Sequence, residues 1–202
     1  MPRALSAAEV EAFRERLCDV AEEIFAAHGA EDVTMRELAA ALGVSPMTPY
    51  RYFRDKDSIL AAVRTRAFTR FAAAMEAGDR DRVARGWKEG GDAYFRFALE
   101  NRAAYRLMFD TYQPTADDYP ELVAATERAR ETMGAWLREL EAQGRFRGDV
   151  ELYAHAVWSV MHGAVMLELA GRLRAPLDAR AVARPALVAL LKEMGLWSAE
   201  PR

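Results

Sequence analysis

The sequence predicts an all-α protein, and three observations support this fold class. Alanine, leucine, arginine and glutamate dominate, and apolar residues make up 51% of the 202 residues. No segment shows the sustained alternation of apolar and polar residues that marks a half-buried strand. Signals that start and stop helices recur along the chain. About nine helices are expected, in an N-terminal three-helix helix-turn-helix domain and a larger C-terminal helical domain.

The first helix has a clear start and a clear end. Ser6 followed three residues later by Glu9 is a capping box, which predicts a helix from there to about His28. Gly29 then stops it, because a residue without Cβ suits the turn that follows a helix.

A second capping box opens a short helix further along. Thr34 with Glu37 predicts a helix that begins at Met35. Gly43 lies just past its last apolar residue, where a left-handed cap requires a residue without Cβ.

A third, brief helix is predicted from Pro46 to about Phe53. Ser45 is a good N-cap, and Pro46 suits the first helical position because its missing N–H would be unpaired there. Pro49 lies inside this helix and removes the N–H that would bond the Ser45 carbonyl. We therefore expect a distorted or 3₁₀-like first turn.

Two short helices joined by a tight turn suit DNA, with the second helix in the major groove. Hydroxyl and cationic groups contact phosphates, and the expected phosphate contacts are Thr34, Ser45, Thr48, Tyr50, Tyr52 and Lys56. Apolar tips and donors contact base edges, and the expected base contacts are Pro46, Met47, Tyr50 and Arg51. The net charge is −3, but five Lys and Arg residues and only two Asp lie between Gly43 and Arg66. A plain helical hairpin with a polar rim is the alternative.

Residues from about Ser6 to Phe71 resemble the N-terminal DNA-binding domain of the TetR family of bacterial transcriptional regulators. The matching segments are Phe25 to Gly29, Thr34 to Ala39, Gly43 to Ser45 with Thr48, Tyr50 to Phe53, and Lys56 to Leu60. The resemblance implies a third helix in the major groove and a fourth that starts at a phosphate-binding lysine, here Lys56. Pro49 departs from the family, which commonly has an aliphatic residue there. The expected domains are 6–66, with the motif at about 33–52, and 67–202.

The rest of the chain is predicted to form six further helices. Their expected ranges are 55–77, ending near Gly78, then 81–100, 102–109, 119–143, 149–173 and 178–194. Pro185 is expected to kink the last helix or to move its start.

Large side chains in the second domain are candidates for a ligand pocket, although ordinary core is the alternative. The candidates are Trp87, Tyr94, Tyr105, Met108, Phe109, Tyr112, Trp136, Trp158 and His162. His155 and His162 lie on nearly the same helix face, but only Glu151 accompanies them at helical spacing, so no metal site is expected.

The segments 157–167 and 105–109 resemble the C-terminal domain of one TetR subgroup, recognised by its spaced Trp, His and Gly. The resemblance implies that the last two long helices pair with their counterparts in a second subunit as a four-helix bundle. Gly163 and Ala164 would allow close helix approach there.

The expected function is a homodimeric regulator, a repressor released from a double-stranded DNA operator by a small-molecule effector, with no cofactor. One alternative is a helical ligand-binding or interaction protein without operator binding. An enzyme is disfavoured, because no phosphate loop, dinucleotide-binding turn or metalloprotease pair is present. The single Cys18, the lack of a signal peptide and the lack of a long apolar run favour a cytoplasmic protein without a membrane segment.

Overall fold

The computed structural model of the chain describes residues 6–85, 92–112 and 118–197, and of 79–85 the backbone alone. Within these ranges the chain is all-helical, which confirms the predicted fold class. The helices are α1 (Ala7–His28), α2 (Met35–Ala41), α3 (Lys56–Arg85), α4 (Asp92–Glu100), α5 (Arg102–Met108), α6 (Pro120–Ala142), α7 (Val150–Leu169) and α8 (Ala179–Glu193).

Both predicted capping boxes are present and set the starts of α1 and α2. The Ser6 N–H donates to Glu9 Oε2 at 2.7 Å, and the Glu9 N–H donates back to Ser6 Oγ at 3.2 Å. The corresponding distances for Thr34 and Glu37 are 2.6 and 3.3 Å. Each box satisfies two N–H groups that the first turn of a helix leaves unpaired.

We expect Thr34→Ala to lower Tm by about 2–4 °C, the shift that the loss of one average N-cap produces in a chain of this size. Hydrogen bonds from the Thr34 backbone and hydroxyl lower the pKa of Glu37 below 4.5. The carboxylate's contribution to stability is therefore complete above about pH 4.5 and is lost as the pH falls through the lowered pKa. Thermal unfolding of the wild type and of Thr34→Ala from pH 7 to pH 3 measures this. The difference in Tm should narrow in acid, and a difference that stays constant would contradict the assignment.

Several helix ends differ from the predicted ranges. Gly78 lies inside α3, which continues to Arg85, because one glycine costs a helix only about 1 kcal/mol relative to alanine. Helix α7 ends at Leu169 rather than near residue 173, and Gly171 follows it with φ of 65°. Helix α8 starts at Ala179 and continues through Pro185, so the proline does not move its start. Of the predicted 81–100 helix, residues 86–91 lie outside the described ranges.

The residues form two compact groups. The first comprises Met1–Thr69 with Ala103–Thr126, and the second comprises Arg70–Arg102 with Glu127–Arg202. The first group is thus larger than the predicted domain 6–66, because α5 and the start of α6 belong to it.

Buried Arg64 is one reason why α5 belongs to the first group. Its guanidinium donates to the carbonyl of Met108 at 2.9 Å and to that of Tyr112 at 3.2 Å. The Tyr112 hydroxyl in turn donates to Asp57 at 2.9 Å. These bonds fix the end of α5 to the first turns of α3. The side chain of Leu107 on α5 also packs in one apolar core with residues of α1, α2 and α3.

Helix packing organises the second group. Helix α7 packs against both α8 and α4. Met161 and Val165 on α7 and Leu187 and Leu191 on α8 are buried. Helix α7 therefore forms the centre of this group.

Candidate nucleic-acid interface

One apolar core holds together the helices that carry the predicted DNA contacts. Its members include Phe13, Leu17, Phe25, Leu38, Phe53, Ile59 and Leu60. Cys18 also belongs to this core, and burial raises the pKa of its thiol. Because α1, α2 and α3 all contribute to it, the segment between α2 and α3 has fixed supports at both ends.

Residues 45–52, which we call the reader segment, do not form the predicted α-helix from Pro46 to Phe53. Only Pro49–Arg51 is helical, and it is a 3₁₀ turn. The Thr48 N–H donates to the Ser45 carbonyl at 2.9 Å, three residues back, because Pro49 has no N–H with which to make the α-helical bond. The predicted 3₁₀ character is therefore correct, but the predicted α-helical remainder is wrong.

The outward side of the reader segment carries the predicted base contacts. The side chain of Met47 is 68% exposed and that of Tyr50 is 48% exposed, while Pro46 and Arg51 are also exposed. Pro49 is buried beneath them. The thioether of Met47 and the ring of Tyr50 are therefore accessible for contact from outside the fold.

The inward side of the reader segment is held by α1. The ring of Tyr52 stacks on that of Phe13, with centroids 4.1 Å apart and planes at 22°. The Arg14 guanidinium donates to the Tyr52 carbonyl at 2.6 Å and lies 4.1 Å above the ring of Phe53. Tyr52 is half-buried, so the structure places it mainly as a support.

The predicted phosphate-contacting groups lie within the reader segment and in the helices on either side of it. The Ser45 and Thr48 hydroxyls lie 2.9 Å apart. Thr34 is exposed at the start of α2. The Lys56 ammonium donates to the Glu31 carbonyl at 2.7 Å, which uses one of its three donors and holds the cation at the start of α3.

Two arginines outside the predicted set of contacts lie on helices that contact the reader segment. Arg36 is exposed in the first turn of α2, the helix that precedes the reader segment. Arg14 positions the reader segment from behind. A cation near the start of the motif's first helix, α2, could have identified Arg36 from the sequence. No sequence pattern pairs Arg14 with Tyr52, because they lie far apart in the chain.

In the second compact group, a small cavity gathers three of the predicted pocket residues. Tyr94, Trp136 and Trp158 line it, and the Trp158 Nε1–H donates to the Tyr94 hydroxyl at 3.1 Å. Phe71 is also in its wall, with its ring edge-to-face against Tyr94 at 5.8 Å.

The other predicted pocket residues lie elsewhere. Tyr105, Met108, Phe109 and Tyr112 belong to the first compact group, where Tyr105 and Met108 are buried. His162 packs on the Trp158 ring at 5.4 Å, and burial lowers its pKa, which favours the neutral ring. Trp87 lies outside the described residues.

The side chains and helices of residues 6–85, 92–112 and 118–197 can be compared with the geometry of a metal site and of a membrane span. Those residues contain no cluster of three or more His, Cys, Asp or Glu side chains placed to hold a metal ion. His155 instead bonds the Glu151 carbonyl of its own helix at 2.8 Å. None of the described helices combines the length and apolar character needed to cross a bilayer.

The geometry defines a class of protein. A capped helix, a tight turn at Gly43 with φ of 68°, and an exposed segment fixed over a shared core constitute a helix-turn-helix unit. Residues 17–63 match the sequence profile described as "Bacterial regulatory proteins, tetR family", and residues 87–190 match the profile "Tetracyclin repressor-like, C-terminal domain". The chain belongs to the TetR family.

Individual relatives agree with this assignment. The HTH-type transcriptional regulator Rv1816 of Mycobacterium tuberculosis is 27% identical over 129 residues, which are 62% of this chain and 54% of that protein. The chain thus spans about half the length of the curated mycobacterial relatives it matches. The TetR family regulator PfmR from Thermus thermophilus is similar in structure, with a TM-score of 0.69, 26% identity and coverage of 88% of this chain and 97% of that one.

The fold alone is shared with SmeT, the repressor of the Stenotrophomonas maltophilia multidrug efflux pump SmeDEF. The TM-score is 0.70 at 20% identity, and the similarity covers 93% of this chain and 94% of SmeT.

Proposed function

We propose that the chain is a dimeric, sequence-specific DNA-binding transcriptional regulator, a repressor that leaves its operator when a small-molecule effector binds. The reader segment carries this proposal, because Met47 and Tyr50 point into solvent while Tyr52 and Phe53 are fixed from behind. TetR family proteins are DNA-binding regulators rather than enzymes, which favours this class over the enzyme alternative.

The predicted contacts divide into two kinds in this proposal. Met47, Tyr50 and Arg51, with Pro46, touch base edges in the major groove. Thr34, Ser45, Thr48 and Lys56 hold phosphates. Tyr52 contributes less to phosphate binding, because its ring packs on Phe13. Only Pro49–Arg51 of the reader segment is helical, so the base contacts come from a few exposed side-chain tips.

The proposed dimer forms through α7 and α8. Both helices expose apolar side chains, with Leu152 61%, Met166 37%, Leu167 45% and Val182 36% exposed. A Cβ built on Gly163 meets no atom within 4 Å, so this side of α7 is open for another helix. Large apolar side chains exposed on two packed helices fit an interface, and the resemblance to the family points to a second copy as the partner.

An effector acts, in this proposal, through α3. This helix contains Lys56 in its first turn and the cavity residues Phe71 and Met75 further along. A ligand that binds two states with different affinity shifts their populations and so changes the spacing of the two readers. The proposed location is the cytoplasm, where operator DNA is found.

The alternative is a helical ligand-binding or interaction protein without operator binding. A gel shift on the DNA upstream of the chain's own gene distinguishes it from the proposed regulator. The proposal expects a discrete complex that survives excess non-specific DNA. Binding that the competitor removes completely would favour the alternative.

Lys56→Met tests the phosphate role with a side chain of similar length. Each half-site loses one phosphate contact, so the slope of log K against log salt should become shallower by about 2 for the dimer. The affinity for all DNA sequences should fall by a similar factor. Titrations at several salt concentrations measure the slope, with Arg130→Met as control because Arg130 pairs with Glu127 on α6. An unchanged slope would remove Lys56 from the interface.

A further inference from the structure

The small cavity in the second compact group has a wall of one chemical character. Helices α3, α4, α6 and α7 all contribute to it, and the wall contains three methionines and four aromatic rings. The methionines are Met75, Met133 and Met161. Eight of its ten lining residues are buried, so a molecule inside would be largely removed from water.

The lining residues offer no charge to a ligand. None of the ten, all of them described residues, is Asp, Glu, Lys or Arg. The Trp158 Nε1–H donates to the Tyr94 hydroxyl, and the Thr132 hydroxyl donates to the Ala129 carbonyl at 2.7 Å. An ion moved into such surroundings loses its hydration without gaining a counter-charge, which is strongly unfavourable. An apolar ligand gains free energy with every methylene it buries.

The cavity must widen to admit a ligand. Its internal volume is about 30 Å³, room for one or two water molecules. Methionine side chains are unbranched and adapt to neighbouring shapes at low cost. The three methionines are therefore the side chains that can move aside for a ring, while the aromatic rings supply flat contact surfaces.

The cavity and an outer cleft of about 550 Å³ share two lining residues, Thr132 and Met133. Thr132 is buried and Met133 is half-buried, so Met133 is the shared side chain that reaches the surface. The outer cleft is polar: Arg128 and Glu76 form two hydrogen bonds there, at 2.7 and 2.8 Å. Met133 thus separates a charged exterior from an uncharged interior.

We propose that the cavity binds an uncharged, mainly apolar ligand with an aromatic body, admitted from the outer cleft when the Met133 side chain moves aside. The role of this ligand as the effector rests on the proposed function. The binding chemistry stands on the cavity itself.

Two probes of the same ring system test the ligand class. Calorimetric titration of the full chain at pH 7 compares 1-naphthol, which is neutral, with 1-naphthoate, which is an anion. We expect 1-naphthol to bind at least about tenfold more tightly, because the carboxylate would enter without a counter-charge. Equal or tighter binding of 1-naphthoate, or no binding of 1-naphthol, would overturn the proposal.

Met133→Gln tests the entrance and wall, since glutamine has nearly the same shape but a polar head. We expect it to weaken 1-naphthol binding about tenfold. Glu141→Gln is the matched control, because Glu141 is exposed on the same helix and lines neither the cavity nor the outer cleft. Its affinity should stay within about threefold of wild type, and thermal unfolding of both variants verifies that they are folded. Equal losses in the two variants would contradict the assignment.

DNA binding is measured separately. Release of operator DNA by 1-naphthol supports the cavity as the effector site. Tight 1-naphthol binding that leaves operator affinity unchanged keeps the ligand class but rejects the cavity's regulatory role. If the chain binds operator DNA but binds 1-naphthol and 1-naphthoate equally well, the proposed ligand class is wrong while the proposed DNA-binding function stands.

Discussion

Tyr50→Ala is expected to reduce operator affinity by about 100-fold at fixed salt while Tm changes by less than about 2 °C. The Tyr50 side chain is 48% exposed, so its loss removes little buried surface from the fold. A specific base contact contributes about 1–3 kcal/mol, and a loss near 1.4 kcal/mol is tenfold. The dimer carries two readers, so the loss applies twice.

Fluorescence anisotropy with a labelled operator fragment measures this effect, at a single salt concentration because the phosphate contribution depends on salt. Tyr50→Phe separates the ring from its hydroxyl: full affinity would assign the contact to the ring. Val123→Ala is the control, since Val123 is 42% exposed on α6 and belongs to the same compact group. Affinity of Tyr50→Ala within threefold of wild type would remove Tyr50 from the interface.

Arg64→Ala is expected to lower the free energy of unfolding by about 2–4 kcal/mol. The Arg64 residue is only 2% exposed, and its guanidinium serves the carbonyls of Met108 and Tyr112. Removing it leaves both carbonyls without this donor, opens a cavity and takes a cation from the end of α5, where a positive charge is favourable. Part of this loss is offset, because the mutation also removes Arg64 Nε, which is buried without a hydrogen-bond partner among the described residues.

Burial lowers the pKa of Arg64, which reflects the cost of keeping this cation from water. Mutation to alanine recovers that cost, which offsets part of the free energy lost with the two hydrogen bonds. Urea unfolding measures the difference. Arg16→Ala, which removes an exposed arginine from α1, should cost less than about 0.5 kcal/mol. A loss below 1 kcal/mol for Arg64→Ala would show that other contacts hold α5.

Helix starts could be predicted from the sequence because they depend on side chains three residues apart. The Ser6 and Thr34 boxes and the Asp55 cap of α3, whose carboxylate accepts from the Ser58 N–H at 2.8 Å, are all local. Helix ends were less predictable. Gly78 and Gly171 carry the same signal, yet α3 continues through the first while α7 ends just before the second. The sequence alone does not contain the packing that decides between them.

The reader segment shows how far local reasoning extends. The missing N–H of Pro49 was sufficient to predict 3₁₀ geometry at its own turn. The absence of α-helix on either side depends also on the stacking of Tyr52 on Phe13 and on the hydrogen bond from Arg14, and these partners lie 38 or more residues away in the chain.

The predicted pocket residues shared a chemical type but not a location. The 3.6-residue period identifies which face of a helix is apolar, but not which neighbour that face meets. Tyr105 and Met108 therefore looked the same as Tyr94 and Trp158, although α5 belongs to the first compact group and α4 and α7 to the second. Even so, Tyr94, Trp136 and Trp158 do line one cavity.

Selection of bound fragments from the source genome tests most directly whether the reader segment recognises duplex DNA in two symmetric copies. The wild-type chain should enrich an inverted repeat whose half-sites lie about 10 base pairs apart, one turn of the double helix. A variant that carries both Met47→Ala and Tyr50→Ala should enrich none. A wild-type protein that enriches no sequence, or a double variant that enriches the same repeat equally well, would contradict the assignment of this surface to DNA.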